Sequence, residues 1–317
     1  MIRFPQQRRA VTLFSGLGSS SLALRSLGFH VLAHDFMSDA VDSLHANGFT
    51  DAQHIDVRQI DYNDPRYQGV EVVAGGPPCQ PFSQSHDGDG RFDPRDMIPE
   101  FIRAVAELLP RLFVMEEVQT LTWAKHRDYL EMVEADLRAI GYEVEHRVLN
   151  AADYGIPQAR KRLFIVGRRV DTITTKVDSI DSAIEWPCKD DYVPITMAEA
   201  LNWSAQTCWE RNQQAPEPAR CSSQIYDERY LWPLHRASTT VVGSFKPEVQ
   251  AAPGYRKAGD GPRQNTPGSV VTTLTERLAL QGLPSDWIVR GSASKQALQV
   301  GNSVPMPLIR DIIIENL

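Results

Sequence analysis

Cys79 is the residue in this chain best placed for covalent chemistry. It lies in Pro77-Pro78-Cys79-Gln80-Pro81-Phe82-Ser83, reached from the apolar run Val70-Glu71-Val72-Val73-Ala74 through Gly75-Gly76. Two prolines fix φ just before the sulfur and a third follows Gln80, so the thiol stands on a stiff loop at the end of a buried strand. In open α/β sheets, ligands bind outside the carboxyl ends of the strands, where such a thiol would be presented as a nucleophile. A tight turn around a small buried thiol would need the same residues. Charged groups stand at comparable places: Glu116 after the run Leu112 to Met115, and Arg160, Lys161 and Arg162 before the run Leu163 to Val166. Taken singly, Glu116 would equally cap a helix, and the arginines would equally line an outward-facing strand.

Phe14-Ser15-Gly16-Leu17-Gly18 joins a first strand to a first helix, where a backbone lacking Cβ atoms can approach a ligand closely. The third glycine of a dinucleotide fingerprint is missing, with Ser20 or Ser21 in its place, which disfavours a pyrophosphate site. Asp35, ending the second strand, would accept from ribose hydroxyls. Phe36 would stack on a base, and Asp56 would accept from an exocyclic amine. Each acid would also suit a solvated loop or a helix cap. Together, an adenosine site without a pyrophosphate points to S-adenosylmethionine.

The elements that must position these groups alternate between strand and helix. Strands are predicted at Ala10 to Phe14, His30 to Ala33, Val70 to Ala74 and Leu112 to Met115, with Val144 to Leu149 and Leu163 to Val166 as a closing pair. Helices are predicted at Ser19 to Leu27, Asp39 to Ala46, Met97 to Leu109 and Arg127 to Ile140. This is the pattern of an α/β fold with a mostly parallel, doubly wound sheet. After Arg169 the pattern degrades. From about 170 to 266 the one clear helix is Thr196 to Leu201, amid prolines and Trp186, Trp203, Trp209 and Trp232, which suit a core as well as base contacts. Gln264-Asn265-Thr266-Pro267-Gly268 marks a break, and helices return at Thr275 to Gln281 and Pro307 to Asn316. The organisation predicted is a catalytic domain over 1–169, an inserted recognition lobe over 170–266 and a C-terminal return to the first domain over 267–317.

Composition narrows the class. A hydrophobic content of 42% with 23% charged residues is ordinary for a globular protein. No apolar run approaches the roughly 20 residues that span a bilayer. Arg3, Arg8 and Arg9 precede an apolar stretch broken at Ser15-Gly16, which argues against a signal peptide, so a cytoplasmic location is expected. Cys79, Cys188, Cys208 and Cys221 lie far apart, which argues against a zinc site or a disulfide framework. The net charge of −7 speaks against a nucleic-acid partner. Local charge points the other way, because Arg160, Lys161, Arg162, Arg168 and Arg169 crowd one stretch and further arginines follow from Arg211 to Arg263.

One family unites these segments. Phe14 to Gly18, Pro77-Pro78-Cys79-Gln80, Met115-Glu116-Glu117-Val118, Gln158-Ala159-Arg160-Lys161-Arg162, Leu280-Gln281-Gly282-Leu283-Pro284 and Gln299-Val300-Gly301-Asn302-Ser303-Val304-Pro305, in this order, resemble the C5-cytosine DNA methyltransferases. The resemblance leaves only the middle lobe uncovered. It implies a Rossmann-like class I methyltransferase fold with a smaller inserted recognition lobe, S-adenosylmethionine as methyl donor, and double-stranded DNA with a cytosine in a short recognition site as substrate. A monomer without a metal and a place in restriction-modification go with it. Cytosine C5 is a poor nucleophile until a thiolate adds at C6, the role implied for Cys79, with Gln80 beside it. Glu116 then bonds N3, Arg162 holds O2 and Arg160 supports the loop. Cofactor contacts are implied for Phe14, Ser15, Gly16, Leu17, Gly18, Asp35, Phe36, Asp56, Val57, Pro78, Asn302, Ser303 and Val304. Asn302 is expected in a turn of a segment that returns beside the first strand. The target base must leave the stack, and Ser83 to Arg95, with Gly88 and Gly90 as hinges, is predicted to close over the strand.

Two positions depart from the family pattern. Glu117 stands where asparagine is usual; a carboxylate there would pair with the sulfonium in the ground state, or raise the pKa of Glu116 by repulsion. Thr275 precedes Glu276 where many relatives carry arginine. C5 methylation of RNA or of a modified or free cytosine nucleotide, or an inactive DNA-binding relative, are the alternatives these departures and the net acidity leave open.

Overall fold

In a computed structural model of the chain, the described residues are 7–78, 82, 93–170, 184–225, 227–243, 249–250 and 267–317. Cys79, Gln80 and the 83–92 part of the expected lid lie outside them. From the N-terminus run β1 (Arg9–Leu13), α1 (Ser19–Ser26), β2 (His30–Asp35), α2 (Ser38–Ala46), β3 (Gln53–His54), β4 (Val70–Gly75), α3 (Ile98–Leu108), β5 (Leu112–Val118), α4 (Arg127–Ala139), β6 (Tyr142–Asn150), β7 (Gln158–Ala159) and β8 (Lys161–Arg169). They are followed by α5 (Met197–Leu201), α6 (Ala205–Gln213), β9 (Ser238–Thr239), β10 (Val249–Gln250), β11 (Val270–Val271), α7 (Leu274–Leu280), α8 (Ala293–Asn302) and α9 (Met306–Asn316).

The chain forms two compact units. One comprises 1–149, 161–187 and 309–317, and the other 150–160 and 188–308. Residues 267–308 thus group with 188–266, whereas the sequence boundaries separate them at 266/267.

The first unit holds a sheet of order β3-β2-β1-β4-β5-β8-β6. The pairs among β3, β2, β1, β4 and β5 are parallel and β8 runs antiparallel to β5. The α/β fold with a mostly parallel sheet is therefore as the sequence predicts. Its strands read as continuous apolar runs because both faces are covered. Val11, Leu13, Phe113, Met115, Leu163 and Ile165 share one cluster with residues of α3 and α4, while Leu112, Val114, Phe164 and Val166 are buried on the other face. Gly167 pairs with Phe113 across β5 and β8, and a Cβ there would lie 2.0 Å from the ring.

In the second unit, α5 is entered by a capping box in which Thr196 and Glu199 exchange side-chain and backbone bonds. The sequence pattern did not reveal α6, because one of its two buried residues is polar: Asn212 lies in the core, donating to the Ala219 and Ser269 carbonyls and accepting from the Cys221 N–H. Asn302 also departs from expectation. It closes the helix α8 instead of standing in a turn. Gly301, just before it, is helical, and a Cβ there would meet the Gly243 nitrogen at 1.9 Å, so the glycine serves backbone contact. Trp203 and Trp232 are buried, donating to Glu276 Oε1 and the Gly268 carbonyl. The Glu276 carboxylate after Thr275 is held by Trp203, Arg211 and its own helix cap. Among the described residues, no helix is long and apolar enough to cross a membrane.

Gly167→Ala would push its methyl into the Phe113 ring and cost about 1–3 kcal/mol as an overpacked core substitution. Urea unfolding should show the loss in the midpoint. An unchanged midpoint would mean that the ring yields freely and does not fix the β5–β8 pairing.

Candidate active site

The site is assembled where β4, β5 and β8 end or begin along one edge. Gly75 closes β4, and a Cβ there would lie 2.6 Å from the Leu13 carbonyl oxygen of β1. At Gly76 a Cβ would meet Glu116 Oε2 at 2.9 Å. The pair of glycines at the strand end therefore makes room for the Glu116 carboxyl. Pro78, half-buried, follows and leads to the undescribed Cys79. In the β5–β8 ladder Val118 stands opposite Arg162 and Glu116 opposite Phe164. That register brings Arg162 Nε to 2.8 Å from Glu116 Oε1, while Arg162 Nη1 donates to the Lys161 carbonyl. Both side chains are mostly shielded, at 18% and 12% exposure, so their attraction is weakly screened. The chain thus unites Glu116 and Arg162 as a carboxyl and guanidinium side by side at the sheet edge.

Along β1 and β2 lies a second group of the expected residues. The turn Phe14 to Gly18 uses positive φ at Phe14 (53°), Gly16 (51°) and Gly18 (92°). Only at the glycines is that conformation free of steric cost. Asp35, at the end of β2, is almost fully buried, and its two oxygens accept from the Gly16 and Met37 N–H groups, each at 2.7 Å. Burial pushes its carboxyl above the usual range, against the pull of those two amides. A carboxylate oxygen has two lone pairs, so both keep accepting capacity. Phe36, next in the chain, is 71% exposed, and its ring makes an edge contact with His54. Pairing of Asp35 with His54 between β2 and β3 carries Asp56 and Val57 to the same edge. Asp56 caps the following turn and pairs with Arg58, whose guanidinium holds its carboxyl below the usual range. Leu17 and Val57 are buried.

Some polar groups under this loop went unnoticed in the sequence. Thr12 Oγ1 bonds both Ser15 Oγ and Ser21 Oγ at 2.8 Å, and Ser15 Oγ accepts from the His34 N–H. His34 bonds Tyr67 through Nε2, and its burial pushes its pKa down to about 4, so the ring is neutral. The available signal was a threonine and a histidine inside otherwise apolar strands.

Arg160 and Asn302 to Val304 belong to the second unit. Arg160 is 1% exposed, and its Nη1 donates to the Val241 and Gly301 carbonyls at 3.1 and 3.0 Å. It therefore ties two segments together where Gly301 and Gly243 touch. Asn302 is exposed, Ser303 and Val304 are buried, and the Ser303 hydroxyl donates to the Val304 carbonyl. Among the described residues no cluster of His, Cys, Asp and Glu could hold a metal ion.

Residues 9–316 match the family model for C-5 cytosine-specific DNA methylase. The chain is 33% identical over 326 residues to the Type II methyltransferase M.AplI of Arthrospira platensis, covering 96% of this chain and 84% of that protein. It is 26% identical over 310 residues to the Type II methyltransferase M.NgoMIV of Neisseria gonorrhoeae, covering 95% of each. Among solved structures, a DNMT2 mutant from Spodoptera frugiperda aligns with a TM-score of 0.69 at 16% identity, over 98% of this chain and 99% of that one. A putative DNA modification methyltransferase encoded within an E. coli prophage aligns with a TM-score of 0.63 at 21% identity, over 98% of each chain. At such identities the two structures show a common fold.

Replacing Arg160 by Met keeps much of its volume but strands the Val241 and Gly301 carbonyls, at about 1–3 kcal/mol for each unsatisfied group. Thermal unfolding should record a lower melting temperature. Were stability to stay at the wild-type value, the guanidinium would not be the tie between these segments.

Proposed function

This chain belongs to the C-5 cytosine-specific DNA methylase family, and from that premise we propose that it methylates a cytosine flipped out of duplex DNA, with Cys79 as covalent nucleophile and S-adenosylmethionine as donor. The enzyme class, a DNA (cytosine-5-)-methyltransferase, follows from the family and from relatives that are named Type II methyltransferases. The observation that carries the mechanism is the Glu116–Arg162 pair at the sheet edge. N3 and O2 are neighbouring acceptors on one edge of cytosine. A carboxyl and a guanidinium held 2.8 Å apart match that edge in spacing and in kind.

Addition of the Cys79 thiolate forms an S–C6 bond and pushes electrons through the ring toward N3 and O2. Glu116 supplies the proton or hydrogen bond that N3 needs as its charge develops, and Arg162 stabilises O2. C5 thereby becomes an enamine carbon able to accept an alkyl group. S-adenosylmethionine, when bound, supplies that group as the methyl of a sulfonium. Once C5 is methylated, loss of its proton and expulsion of the Cys79 thiolate restore the aromatic ring. Gln80, next to the nucleophile, and Arg160 are assigned supporting parts by family resemblance.

The residues at the ends of β1, β2 and β3 suit an adenosine. Gly16 and Gly18 permit close backbone approach, and Asp35 keeps lone pairs for ribose hydroxyls while two amides hold it in place. Phe36 presents an apolar ring to solvent that a purine would cover. Asp56, Val57, Pro78, Asn302, Ser303 and Val304 complete the assignment by family resemblance. Target selection is assigned to the lobe between 170 and 266, for a short duplex site of the kind a modification enzyme protects.

Incubated with S-adenosylmethionine and a duplex containing 5-fluorocytosine, the protein should form an adduct at Cys79, because fluorine blocks loss of the C5 substituent. Peptide mapping would locate it, and Cys79→Ala should form none. Equal methylation by that variant would remove the thiol from the mechanism.

Glu116→Gln should lower turnover by roughly 10²-fold or more with little change in cofactor affinity. Asp35→Ala should show the reverse, with weaker S-adenosylmethionine binding by calorimetry and near-normal turnover at saturation. If the two variants behave alike, the division between catalytic edge and cofactor edge is wrong.

A further inference from the structure

Glu117 follows Glu116 on β5, and strand alternation turns the two carboxyls to opposite faces. Glu116 meets Gly76 and Arg162, while Glu117 stands opposite Leu163, on the face that Met115 and Leu163 share with α3 and α4. Its side chain is 1% exposed. Oε2 accepts the Val118 N–H at 2.9 Å, and the buried Oε1 has no hydrogen-bond partner among the described residues. The charged and titratable groups acting on it are Glu116 on its own strand, Arg162 on β8, Asp96 ahead of α3 and Tyr129 on α4. Arg162, the one cation among these, is engaged by Glu116. Asp96 is taken by the Tyr129 hydroxyl and the Ile98 N–H. A carboxylate in such a place would be a buried charge without a counter-ion, which a carboxyl avoids by keeping its proton.

We propose that Glu117 is a positioning residue that works as a neutral carboxylic acid, holding the Val118 amide at the end of β5 while adding no second negative charge beside the Glu116–Arg162 pair. The inference rests on the methyltransferase reading above. Burial raises its pKa well above the usual glutamate range, and the Glu116 charge adds to the shift. Like the asparagine expected at this position, a protonated glutamate offers an acceptor and a donor without net charge. Pairing with a sulfonium and repulsion of Glu116 both require the ionised form and do not arise while the proton stays. As pH rises through the raised pKa, a second carboxylate appears on the other face of the same strand, and its charge acts on Glu116 and Arg162 and perturbs their pairing.

The test has two arms on the full chain. In the free protein, the side-chain carboxyl 13C resonance of Glu117, assigned by its loss in Glu117→Gln and in Glu117→Asn, should report the protonated acid at neutral pH and titrate only at alkaline pH. Initial methylation rates on unmodified genomic DNA, at saturating cofactor, should fall on the alkaline side with the same midpoint. Gln or Asn at this position should remove that fall, and Glu117→Leu should lower the rate at every pH by about 10-fold or more. A purely structural side chain would leave the shape of the pH profile unchanged. Titration of Glu117 in the ordinary glutamate range, or an alkaline fall that persists in both amide variants, overturns the proposal. A wild-type protein that methylates no DNA would instead overturn the functional reading, while the 13C arm still judges the state of Glu117.

Discussion

The contact between Glu116 and the Cβ-free backbone at Gly76 is the constraint around which the first unit is organised. It requires β4 and β5 to be parallel neighbours and Gly75 to pass close under the Leu13 carbonyl of β1. Antiparallel β8 must then enter beside β5 in the register that lays Arg162 against Glu116. A one-residue slip of that ladder would turn Arg162 to the other face and leave a shielded carboxylate without its cation. The large apolar residues of β5 and β8 guard the register from below, with Phe113 lying over Gly167.

The same edge shows how one strand can carry two carboxyls with different chemistry. Glu116 faces a guanidinium and the open end of the sheet; Glu117 faces the apolar cluster under α3 and α4. Burial on the apolar face pushes the Glu117 carboxyl above the usual range, and the neighbouring Glu116 charge adds to that shift. Nearby, Asp35 is a buried acid of a third kind, fixed by two backbone N–H groups that also pin the glycine turn to the end of β2. Its orientation depends on Gly16, and the geometry of Gly16 depends on the hydroxyl network of Thr12, Ser15 and Ser21 beneath it.

The second unit uses buried polar side chains as ties between segments that form little regular structure. Arg160 spans Val241 and Gly301, Asn212 spans Ala219, Ser269 and Cys221, and Gln158 reaches the Leu280 carbonyl while accepting from the Val241 N–H. Each tie replaces the strand ladder that a loop-rich unit lacks, and each is satisfied only in one arrangement. Arg160 and Arg162, two residues apart, therefore do different work: one is sealed among carbonyls, the other pairs with the Glu116 carboxyl.

Residue order alone made legible the longer strands and helices through Ala10 to Val166, though not the two-residue strands β3 and β7, together with the loops at their carboxyl ends and the family. Strands buried on both faces are unbroken apolar runs, and the chemistry-bearing residues stand at the ends of those runs, Cys79 where glycine and proline end one of them. Hidden from it were α6, whose core residue Asn212 is polar, and the helical state of Asn302, because Gly301 has the composition of a turn and only the closeness of Gly243 explains it. Nor could it decide between the two effects expected of Glu117. A string of residues shows two adjacent carboxyls; which keeps its proton depends on the cation within reach and on the water each has lost, and folding alone sets those.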